Sequence, residues 1–141
     1  MTRSLIEQWL PAGAVGAESL RERGSAKAYP PINFLHVWWA RRPLIASRAA
    51  VAASLLPAWP DDTVVDEAVG QVRGALLKHF PGGEDEYRSW FLRFLGIFGD
   101  PVAGRAAIRS ALAAGTQTSG NAYGYDRAFT VTPSLQDIEI F

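Results

Sequence analysis

Across residues 84–98 the side chains of Tyr87, Trp90, Phe91, Phe94, Leu95 and Phe98 recur at helical spacing. A face that aromatic cannot be left in water, so other elements must cover it. The chain supplies them. Five Trp, four Tyr and seven Phe give ample material for a packed core, which argues against intrinsic disorder outside the Gly-rich stretches.

The flanking pattern is also helical. Asp100-Pro101 reads as an N-cap followed by a proline at the first helical position, with a run of small residues leading to a C-terminal glycine at Gly115. Asp61 or Asp62 is expected to cap a helix whose stripe is Val65, Ala68, Val69, Val72, Leu76 and Phe80, ended by the Pro-Gly-Gly at 81–83. Leu44, Ile45, Arg48, Val51, Ala52 and Leu55 recur at helical spacing behind Pro43, and Pro57 and Pro60 close that segment. Residues 15–23 suit a short charged helix, which Gly24, Pro30 and Pro31 end. Ser134-Leu-Gln-Asp137 is a capping-box variant that starts a last helix, about two turns before Phe141. The uncapped apolar end there suggests a chain continued in a longer polypeptide.

The fold class expected is therefore mainly α, a helical N-terminal domain or fragment. Residues 4–10 fit either a short helix or an edge strand, and 118–132, rich in turn residues, fits an ordered loop or hairpin. The expected organisation is 1–60, then a helical spacer over 61–133, then 134–141 as the start of a helix leading into a separate catalytic domain.

Formal charge sums to zero, which removes the argument from a globally basic surface. The distribution is uneven. Residues 1–50 hold Arg3, Arg21, Arg23, Lys27, Arg41, Arg42 and Arg48 against Glu7, Glu18 and Glu22, while residues 51–100 carry twice as many acids as bases. An anion site is expected in the first third. Without cysteine there is no disulfide scaffold or thiolate zinc site, and His36 and His79 have no metal-ligand spacing. The apolar run at 44–57 falls short of the roughly 20 residues that cross a bilayer, and no signal peptide is visible, so the expected location is cytoplasmic with no membrane partner.

The densest chemistry lies in LHVWWARRPL, residues 35–44. His36, Trp38, Trp39, Arg41 and Arg42 stand ahead of the helix that Pro43 opens. A helix N-terminus attracts anions, and adjacent guanidiniums strengthen a carboxylate or phosphate site. Trp38 or Trp39 offers a flat face for an adenine or an extruded base. Each residue also has a plain structural use: the tryptophans as core anchors, the arginines as partners of acids, His36 as a buried hydrogen-bonder.

LIEQWLP, ESLRER and LHVWWARRPLIASRAAVAASLLP closely resemble the N-terminal domain of unknown function in large, zinc-ribbon-type adenine-specific DNA methylases, including an anti-phage branch. The resemblance covers roughly the first sixty residues and is weaker over 61–133. It implies S-adenosyl-L-methionine as cofactor, DNA as substrate, and restriction-modification or other defence-system proteins as partners. In methyltransferases with a permuted motif order, an HP-x-x-KP-x-x-L segment lines the cofactor pocket. By that analogy His36, Arg41, Arg42, Pro43 and Leu44 fall near its His, Lys, Pro and Leu, with Trp38 and Trp39 beside them, and the helix start would help hold the methionine end. Arg48 is assigned to DNA.

The catalytic motifs are absent. N6-adenine transfer uses an Asp/Asn-Pro-Pro-aromatic tetrapeptide, and Tyr29-Pro30-Pro31-Ile32 has the wrong flanks. Asp100-Pro101-Val102-Ala103-Gly104 superficially resembles the DPFxGxG cofactor loop but lacks its second glycine and its preceding strand. No catalytic residue is assigned, and methyl transfer by this chain alone is not expected. Three readings stand at this point: a methyltransferase fragment that lends LHVWWARRPL to the cofactor pocket; a non-catalytic module whose Arg41, Arg42 and Arg48 contact DNA phosphates or a defence partner; and a truncated reading frame without activity.

Overall fold

The aromatic stripe forms the middle of the molecule. The computed structural model describes residues 3–23, 44–61, 63, 66–116 and 120–140. Among them lie seven α-helices and no strand: α1 Leu5–Gln8, α2 Ala12–Arg23, α3 Leu44–Leu55, α4 Glu67–His79, α5 Glu84–Phe94, α6 Pro101–Ala113 and α7 Leu135–Ile140, with a 3-10 turn at Ala128–Thr130. The architecture is mainly α, as the periodicity predicts.

Helix α5 carries the core. Tyr87 and Trp90 stack with ring centroids 5.9 Å apart and planes at 9°, Phe80 at the end of α4 contacts both, and Phe91 meets Trp9 edge-on. Such offset and edge contacts add about 0.5–1.5 kcal/mol each beyond burial. The Tyr87 hydroxyl donates to the Pro57 carbonyl at 2.9 Å, and burial pushes its pKa upward. Phe98 does not join this face. The helix ends at Phe94, Gly96 takes φ +87°, and the N–H groups of Gly96 and Ile97 return to the Arg93 and Leu92 carbonyls, a Schellman stop that leaves Phe98 56% exposed. Gly96 is required twice, since a Cβ there would also overlap the Ala128 carbonyl.

Helix α3 packs differently from its pattern. Its buried residues are Ile45, Ala49, Ala52 and Ala53, whereas Val51 and Leu55 lie outward, 61% and 68% exposed. The small side chains suit its close packing against α1 and α2. The cap of α4 is Asp66, whose carboxylate accepts from Ala68 N–H at 2.9 Å. Asp61 instead accepts from the Thr63 N–H and hydroxyl, a local turn that holds its carboxyl below the usual range, and Asp62 and Val65 lie outside the described residues.

The expected capping box forms at α7, Ser134 with Asp137, and α1 carries a second one, Ser4 with Glu7. Asp137 also accepts from the Trp90 indole N–H at 2.9 Å, which ties α7 to the core. The two regions where strand structure was an alternative form none among the described residues. At the start, α1 is preceded by one isolated antiparallel bridge, Ser4 to Pro57, with Leu5 N–H donating to the Leu56 carbonyl at 2.8 Å. At 120–132 the Asn121 side chain accepts from Tyr123 N–H and donates to the Tyr125 carbonyl, curling the chain into a turn in place of a hairpin.

Candidate functional site

Two polar arrangements converge on α2. The first closes the base of the segment that carries LHVWWARRPL. His36, Trp38, Trp39, Arg41, Arg42 and Pro43 lie outside the described residues, but the chain on either side is fixed. Glu22, 3% exposed, accepts hydrogen bonds from the N–H groups of Leu44 at 2.8 Å and Ile45 at 3.3 Å. Residues 22 and 44 are thereby held together. The anion at the start of α3 is the protein's own carboxylate, which satisfies two of the helix's free donors and its dipole. The N–H groups of Leu44 and Ile45, where the sequence placed an anion, are thus already engaged within the chain.

Arg48, one turn into α3, is part-buried. Its Nη1 donates to the carbonyls of Leu95, Ala128 and Val131 at 3.5, 3.4 and 3.2 Å. Burial lowers its pKa, and the charge of Glu22 opposes that effect. These bonds join α3 to the end of α5 and to the 3-10 turn, a bracing role for the residue assigned to DNA.

The second arrangement docks the turn at 121–127 on α2. Arg21 pairs with Glu18 at 3.0 Å, donates to the Tyr125 carbonyl at 2.7 Å, and lies under the Tyr123 ring with its guanidinium carbon 4.0 Å from the centroid. Glu18 also accepts from the Tyr125 hydroxyl at 2.6 Å, and burial together with that bond pushes the phenol pKa up. Arg127 donates to the Arg21 carbonyl at 2.7 Å. A buried ion pair with this many partners is the satisfied case, in which desolvation is offset by hydrogen bonding.

This docking builds a groove of about 360 Å³ between α2, α6 and the turn. Arg21, Arg105, Arg109 and Arg127 line it with Tyr123 and the aliphatic Leu20, Ile108 and Leu112, and none of the described acidic residues lines it. Gly104 makes the approach possible, because a Cβ there would come within 2.8 Å of Tyr123 Cδ1 and 3.2 Å of the Ala122 carbonyl oxygen. Its place in Asp100–Gly104 is thus explained by packing, and Asp100 caps α6 through the N–H groups of Val102 and Ala103. The groove draws three of its four arginines from the last third of the chain, where no anion site was expected. The Arg105/Arg109 spacing on a helix face without acids was the available signal.

Among the described residues no group of acids and histidines could hold a metal ion, and no helix is long and apolar enough to cross a membrane. Residues 9–78 match the model of a family described as "Protein of unknown function (DUF1156)". The Glu22–Leu44 contact lies inside the matched region, while Arg105, Arg109 and Arg127 lie beyond it. No curated protein and no solved structure matches the chain.

Proposed function

We propose that this chain is the helical N-terminal module of an S-adenosyl-L-methionine-dependent, adenine-specific DNA methyltransferase of bacterial defence systems. It works with a catalytic core joined to it in cis or in trans, because it carries neither the Asp/Asn-Pro-Pro-aromatic tetrapeptide nor the FxGxG loop. Its contribution is LHVWWARRPL, presented to the cofactor pocket.

The observation that carries this reading is the bond that the Leu44 N–H donates to the buried Glu22 carboxylate. It holds Glu22 and Leu44, which flank the stretch carrying LHVWWARRPL, against each other where α2 meets α3. Preorganisation of that kind lowers the ordering cost of binding a small, highly charged ligand. With the helix start already occupied, Arg41 and Arg42 would take the methionine carboxylate through charge-assisted bonds, and Trp38 or Trp39 would stack on the adenine.

Titration calorimetry of S-adenosylmethionine tests the proposal, comparing this chain alone with the chain joined to its methyltransferase core. Binding confined to the joined form, and weakened when residues 35–44 are replaced by a Gly/Ser linker of equal length, is the expected outcome. Equal affinity with and without that segment would remove it from the cofactor pocket.

A further inference from the structure

We infer that the groove between α2, α6 and the 121–127 turn is a phosphodiester-binding site that seats the backbone of duplex DNA. The choice of DNA as the polyanion rests on the methyltransferase reading; the site itself rests on the groove.

Glu18 neutralises Arg21 and buries it, so Arg21 acts as the wall on which Tyr123 is stacked. The free charge comes from α6. Arg105 and Arg109 are one helical turn apart, Arg109 is exposed, and neither has an ion-pair partner among the described residues. Arg127 lines the same groove, its guanidinium held by the bond it donates to the Arg21 carbonyl. The positive side chains thus line a concavity to which no carboxylate among the described residues contributes, in a chain whose formal charge is zero. Even spreading of basic residues for solubility would not produce that segregation. Guanidiniums grip phosphate oxygens with paired donors, and a row of them one turn apart meets a strand of regularly spaced phosphates. Leu20, Ile108, Leu112 and the Tyr123 ring supply apolar lining against which deoxyribose packs, and with no sequence-reading element assigned, binding is expected without sequence preference.

The test is fluorescence anisotropy with the 141-residue chain and a labelled short DNA duplex of arbitrary sequence, without cofactor, between about 50 and about 200 mM salt. Arg105→Ala/Arg109→Ala should weaken binding on the order of tenfold at the lowest salt and reduce the slope of log affinity against log salt by about two. Alanine favours the helix, so the doubly substituted chain retains its fold, which circular dichroism checks. Arg105→Lys/Arg109→Lys should keep most of the slope, since it keeps the charge. Unchanged affinity and slope in the folded alanine variant would overturn the proposal, as would a wild-type chain that fails to bind duplex or binds poly-glutamate equally well. Because no cofactor enters this assay, a failure here is separable from a failure of the calorimetric test above.

Discussion

The carboxylate of Glu22 lies 2.8 Å from the backbone nitrogen of Leu44, across the base of the segment that carries WWARR. One side chain from the last turn of α2 thus caps α3. Glu22→Ala leaves two buried N–H groups without a partner and should cost about 1–3 kcal/mol, the range for an unsatisfied buried donor or a lost cap. Urea unfolding monitored by circular dichroism measures it. Glu22→Gln, which keeps one acceptor oxygen, should cost less than alanine, and equal stability of wild type and alanine variant would show that the bond is not formed.

Glu18 and Arg21 provide a sharper asymmetry. Removing the acid by Glu18→Ala strands a guanidinium that is 9% exposed, and breaking such a pair costs about 3–5 kcal/mol. Tyr125→Phe deletes only the hydroxyl that donates to Glu18 and should cost about 1–3 kcal/mol. The order of the two unfolding free energies is the readout, and a larger loss for Tyr125→Phe would contradict the arrangement.

Gly104→Ala decides between two opposed effects. Alanine within a helix normally gains about 1 kcal/mol over glycine. Here the added methyl meets the Tyr123 ring and the Ala122 carbonyl, and overpacking of that kind costs about 1–3 kcal/mol. A lower melting temperature is expected, together with weaker DNA binding as the turn is pushed off α6. A rise in melting temperature would mean that the turn does not approach α6 this closely.

Asp137 gives the pH dependence. Its carboxylate accepts first from the Ser134 hydroxyl, then from the Ser134 N–H and the Trp90 indole, and these bonds hold its pKa below the ordinary value of 3.8. A depressed folded pKa contributes stability that is present above the unfolded value and lost as pH falls through the folded one. The Trp90 indole resonance should therefore shift as α7 undocks below about pH 4, and Asp137→Asn should flatten that part of the profile. An indole resonance insensitive to acid would contradict the contact.

How much of this could be read from the sequence follows from the range of each interaction. The capping box at Ser134, the Asp100-Pro101 start and the Gly115 stop are local, and the structure contains all of them. The aromatic face of α5 was equally visible, except that Gly96 halts the helix before Phe98. On α3 the expected stripe holds at Ile45 and Ala52 but not at Val51 and Leu55, because burial there follows the small alanines that let α1 and α2 come close. Glu22 as a cap across 22 residues, Arg48 against three distant carbonyls, and the meeting of Arg105 with Arg127 depend on tertiary approach, which no spacing encodes.

The most direct test of the central claim, that the clamped segment serves a cofactor cleft, is the affinity of S-adenosylmethionine for the chain joined to its methyltransferase core, with and without Arg42→Ala. A loss of about 1–3 kcal/mol, the scale of one charge-assisted hydrogen bond, is the predicted result. An affinity unchanged by the substitution, in a folded enzyme that still binds the cofactor, would contradict the claim and leave Arg42 to DNA or to the scaffold.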